Sequence, residues 1–93
     1  MLEIKKGTNR FYIGEDENND VARITYFYSS ENVINIDHTF VSPELRGQSV
    51  AGNLLNHVVK MARNENLKII PVCSYAVKKM TRNDEYSDIL YKG

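Results

Sequence analysis

The run Arg46-Gly47-Gln48-Ser49-Val50-Ala51 is the part of this sequence best suited to holding an anion. It follows Val41-Ser42-Pro43-Glu44-Leu45, where a strand ends, Pro43 stops it, and small residues then open a helix. The first N–H groups of a helix lack intrahelical acceptors and stand at the positive end of its macrodipole. Small side chains let a phosphate or pyrophosphate approach those groups, and Arg46 adds a full positive charge. The same residues also fit a tight loop that merely starts a helix. The run is no P-loop, because no Gly-Lys-Ser/Thr follows it, and it lacks the Gly-x-Gly-x-x-Gly spacing of a dinucleotide-binding turn.

Several other side chains have the right chemistry to react or to move a proton. Cys73, the one cysteine, closes a strand beside the point where an earlier strand ends at Val41, and the gap between such strand ends is where a ligand lies. A lone cysteine is also a common core residue. Asp37 is a strand carboxylate, either reactive or simply solvated. His38 falls between Ile36 and Phe40, where a core histidine is the plainer reading, and His57 borders the apolar stripe of a helix. Two histidines so placed and a single cysteine support no metal site.

These residues need a scaffold, and the hydrophobic periods outline one. Strands are expected over residues 2–5, 10–14, 21–28 and 33–41, joined by short polar turns that imply antiparallel hairpins. On the fourth strand, alternation sets Ile34, Ile36, His38 and Phe40 on one face, which looks buried. Val33, Asn35, Asp37, Thr39 and Val41 lie on the other, as if lining a cleft. The period then changes. Val50, Leu54, Val58 and Ala62 recur every four residues and predict an amphipathic helix over 48–64, with Asn66 a plausible end. A fifth strand over 67–73 completes a βαβ unit whose strands run parallel with a right-handed crossover. A short helix fits 74–83, and residues 86–91 show no clear pattern. The fold class is α+β: a mostly antiparallel sheet ending in a parallel βαβ unit.

Ninety-three residues suit one domain with one modest core. Formal charge is zero, which gives no broad attraction to nucleic acid or to an anionic membrane. Tyr26, Phe27 and Tyr28 lack the basic patch of a stacking surface and read as sheet packing. The halves differ: residues 1–46 carry five Lys/Arg against eight Asp/Glu, and residues 47–93 carry seven against four. The basic half would welcome an anionic ligand. One cysteine excludes an internal disulfide, and no apolar run resembles a signal sequence or a membrane helix, so a cytoplasmic monomer or weak dimer is expected.

Three separated motifs carry a resemblance. The segment from Val41 to Ala51, followed by Leu54-Leu55, resembles the acetyl-CoA signature of the GNAT N-acetyltransferase superfamily, Gln/Arg-x-x-Gly-x-Gly/Ala after a strand ending in valine. His38-Thr39-Phe40-Val41, Pro71-Val72-Cys73-Ser74-Tyr75 and the Glu85-Tyr86-Ser87-Asp88 tail are similar to the small, single-domain YjdJ-like members. The resemblance covers about residues 20–90. It implies an N-acetyltransferase that moves an acetyl group from acetyl-CoA to an amine acceptor, without a metal. The backbone near Phe40 and Val41 would pair with the pantetheine arm. The amides of Gly47, Gln48, Ser49, Val50 and Ala51, with Arg46, would seat the pyrophosphate. Ser49 departs from the usual glycine. Asn35 stands where many such enzymes carry a glutamate base, which leaves Asp37 as a substitute, with His38 beside it. Cys73 then becomes an acetyl acceptor, a proton relay or a wall, and Tyr75 a proton donor to the leaving thiolate or a packing residue. A non-catalytic acyl-CoA-binding or protein-interaction module is the alternative.

Overall fold

A computed structural model describes residues 3–92. Its five strands lie in sequence order in one sheet: β1 Lys5–Gly7, β2 Arg10–Asp16, β3 Asn19–Ser30, β4 Val33–Val41 and β5 Lys68–Pro71. The first three pairings are antiparallel, and β4–β5 is parallel. The parallel step is possible because α1, Val50–Asn64, carries the chain between those two strands. This is the α+β, βαβ-terminated sheet that the periods imply. Leu2, expected in the first strand, lies outside the described residues, and that strand forms later, at Lys5–Gly7.

The apolar stripe of α1 explains its packing. Val50, Leu54, Leu55, Val58, Val59, Met61 and Ala62 are buried, while Asn53, Asn56, Lys60 and Arg63 face outward. The helix stops where Asn66 takes a left-handed backbone (φ 57°), and the Leu67 amide donates to the Ala62 carbonyl at 2.8 Å. A second helix, α2 Ser74–Thr81, adds Ala76 and Met80 to the same cluster. Both helices therefore cover the sheet face that carries Phe11, Ile13, Ile24, Ile34 and Ile36. The opposite face, with Thr25, Phe27 and His38, has no helix over it among the described residues. Residues 89–91 border β5: Ile69 donates to the Ile89 carbonyl and Tyr91 to the Ile69 carbonyl.

One irregularity matters for function. The β3–β4 register slips between Thr25↔His38 and Tyr26↔Ile36, so Asp37 is an extra residue in β4. Simple alternation fails from that point. Thr39 pairs with Ile24 and Val41 with Ala22, both core positions, so these two continue the inward face of Ile34 and Ile36. His38 and Phe40 turn to the outer face instead. His38 is exposed rather than a core histidine, and the Phe40 ring packs under Arg23, 4.8 Å from the guanidinium carbon.

Candidate functional site

β4 and β5 pair only as far as Ile36↔Pro71. There the amides of Val72 and Cys73 both donate to the Ile36 carbonyl, at 2.9 and 3.0 Å, and the strands part. β4 runs on to Val41 with one edge lacking a strand neighbour. Across the gap, Thr39 Oγ1 lies 3.4 Å from Cys73 Sγ, and the same sulfur accepts the Ala76 amide at 3.4 Å to cap α2. The chain direction after Pro71 thus brings Cys73 to the site at the helix start.

The far wall of the gap is the start of α1. A 3-10 turn at Pro43–Leu45 follows Ser42, whose amide still donates to β3 at the Val21 carbonyl (2.8 Å). Gly47 (φ 87°) and Ser49 (φ 59°) then hold left-handed backbones, so the helix begins at Val50 and not at Gln48. The first intrahelical bond is from the Asn53 amide to the Ser49 carbonyl, at 3.0 Å. Val50, Ala51 and Gly52 precede it, and their amides have no acceptor within the helix. Arg46 reaches back, its Nε 3.4 Å from the Val41 carbonyl, and its side chain remains exposed.

A cleft of about 400 Å3 joins these features, lined by Thr39, Val41 and Leu45, by Arg46, Gly47 and residues 49–52 of the turn, and by Tyr75. Of the residues expected in the cofactor seat, Val41, Arg46, Gly47, Ser49, Val50 and Ala51 line it; the side chains of Phe40 and Gln48 do not. Gln48 instead donates to the Glu44 carbonyl at 3.5 Å. Tyr75 stands close over the first turn of α1: a Cβ on Gly52 would meet its hydroxyl at 3.7 Å. Burial raises the Tyr75 pKa above its usual value, and Tyr86 and Cys73 add to the shift. Asp37 and His38 lie outside the cleft, exposed on the outer face, where Thr25 Oγ1 donates to the Asp37 carboxylate at 2.7 Å. Asn35 is buried and donates to Ser29 Oγ at 2.8 Å, a structural role.

Thr39 lines the cleft, as its place on the expected cleft-lining face of β4 implies, whereas Leu45 and Gly52 are lining residues that the sequence does not single out. The signal for Gly52 is a glycine one turn into an amphipathic helix, facing a partner. The bulge that turns Thr39 inward has no signal of its own. Among the described residues, no group of three His, Cys, Asp or Glu gathers as metal ligands, and no helix is long and apolar enough to cross a membrane.

Comparison with known proteins finds the same fold. The model of the GCN5-related N-acetyl-transferase family matches residues 10–89. A GCN5-like candidate N-acetyltransferase from Staphylococcus aureus, solved by NMR, is 54% identical over 97% of this chain and 88% of its own, with a TM-score of 0.82. A GNAT-family acetyltransferase from Elizabethkingia anophelis, solved with acetyl-CoA bound, shares the fold at 15% identity and a TM-score of 0.58. The match covers 83% of this chain and 51% of that one. The N-acetylglutamate synthase of Neisseria gonorrhoeae shares it at 13% identity and a TM-score of 0.60, over 80% of this chain and 18% of its own. No curated protein matches the chain. The chain belongs to the GCN5-related N-acetyl-transferase family, a family of acyltransferases.

Proposed function

We propose that this protein binds acetyl-CoA in the cleft between the end of β4 and the starts of α1 and α2 and transfers its acetyl group to an amine. The observation that carries the reading is the coincidence of two features. The strands part at Ile36 and Pro71, and the free amides of Val50, Ala51 and Gly52 line the cleft that opens beside them. The pyrophosphate rests on the 47–51 backbone with Arg46 alongside, as a helix start favours. The pantetheine arm runs along the open edge of β4 near Phe40 and Val41. The E. anophelis structure holds acetyl-CoA on this fold, which supports the same assignment.

Acetyl-CoA supplies an activated thioester, whose aminolysis forms a carbon–nitrogen bond, breaks the carbon–sulfur bond and leaves a proton and a thiolate to be matched. A lysine-like amine has a pKa near ~10.4, so it must first lose a proton. Asp37, on the open outer face beside the gap, is the acceptor for that proton, and His38 is its neighbour. Tyr75, kept protonated by its raised pKa, is the donor to the thiolate. Cys73, fixed between Thr39 and Ala76, walls the reacting centre.

The test is loss of thioester absorbance with acetyl-CoA, with and without added primary amines. Amine-stimulated loss, slowed about a hundredfold by Tyr75→Phe, is the expected result. Binding with no amine-dependent turnover would leave an acyl-CoA-binding module. Full turnover by Cys73→Ala would exclude an obligatory acetyl-cysteine route.

A further inference from the structure

The C-terminal half of α2 carries a cationic face that the proposed chemistry does not use. Tyr75, Lys78, Lys79 and Arg82 follow one another at helical spacing and, with Asn83, line a recess of about 220 Å3. This recess adjoins the cleft, because Tyr75 lines both. A further recess is lined by Lys79 together with Ser49 and Gly52, which sets the cationic face directly beside the start of α1. Among the described residues the ion pairs are Arg23–Asp20 and Arg63–Asp88, so none of the three cations is neutralised by a carboxylate at contact distance. Glu85 shares the Ser49–Lys79 recess, which leaves Lys78 and Arg82 as the cations with no carboxylate lining their recess. Basic groups near a helix C-terminus also complement its dipole, but that needs neither a recess nor continuity with the cleft.

Coenzyme A carries a third phosphate, a monoester on the ribose 3′ oxygen, one sugar ring away from the pyrophosphate. A phosphomonoester bears close to two negative charges at neutral pH and is best met by lysine and arginine rather than by amides alone. We propose that Lys78 and Arg82, with Lys79 at the margin, hold the 3′-phosphate of the coenzyme A nucleotide. This inference rests on the reading of the 46–51 turn as the pyrophosphate seat.

Dissociation constants for coenzyme A and for 3′-dephospho-coenzyme A, measured calorimetrically on the wild type and on a Lys78→Gln/Arg82→Gln variant, separate the two claims. The wild type should prefer coenzyme A by about tenfold. In the variant that preference should fall to near unity while dephospho-coenzyme A binds as before. Both positions are exposed, and a Lys78→Ala/Arg82→Ala variant with unchanged circular dichroism provides a second, independently folded case. Equal affinity of the wild type for both nucleotides, or a preference that survives both variants, overturns the 3′-phosphate site and leaves the pyrophosphate seat standing. Failure of the wild type to bind either nucleotide overturns both.

Discussion

Ser49 holds a left-handed backbone without being glycine, at the residue where α1 takes its N-cap, and its side chain makes no capping bond. That conformation costs a residue with a Cβ about 1 kcal/mol relative to glycine. Nothing lies within 4 Å of a Cβ built on Gly47, so at that neighbouring position too the backbone angle, rather than space, is what favours glycine. Ser49 stands out in the sequence as a departure from a glycine motif, yet its φ is invisible there. We expect Ser49→Gly to raise unfolding free energy by up to about 1 kcal/mol, the added chain entropy of glycine offsetting part of the gain. Coenzyme A should bind no more weakly. A higher dissociation constant would show instead that the Ser49 hydroxyl donates to the phosphate.

At the scale of elements, the contact between α1 and the segment after α2 responds to acid. Arg63 on α1 donates to both carboxylate oxygens of Asp88 at 3.0 Å and to the Glu85 carbonyl at 2.7 Å. The Arg63 hydrogen bonds hold the Asp88 pKa below its ordinary value. The stability this gives is therefore complete above the ordinary carboxylate range and is lost as pH falls through the lower, folded-state value. The side chains are exposed, so release is local and not global. The Ile69 and Tyr91 amides, which tie residues 89–91 to β5, should shift in NMR spectra below about pH 4. Asp88→Asn should remove that pH dependence at those two amides; its persistence in the variant would assign the transition elsewhere. Elements of this kind differ in how clearly the sequence shows them. The period of α1 and its Asn66 stop are plain, because burial imposes a four-residue rhythm and a left-handed asparagine ends it. The bulge at Asp37 is not, because one extra residue breaks no local propensity but reverses every face after it. That reversal moves His38 out of the expected core and turns Thr39 to the helix-covered face, where the cleft lies.

For the molecule as a whole, one layer of helices covers one sheet face, and among the described residues no helix covers the outer face beside Asp37 and His38. The chain spans about half the length of the E. anophelis acetyltransferase that shares its fold. The fold class is legible from periodicity, and the place of the turn before α1 from its motif. The cleft itself depends on where two strands part and on a helix that starts two residues late, and no single residue announces either. The place where coenzyme A binds decides whether the cleft is its seat. Titration of isotope-labelled protein with coenzyme A, followed by amide NMR, should give its largest shifts within residues 40–52 and 73–79. Shifts confined to other residues, such as the outer face around Thr25 and Phe27, would contradict it.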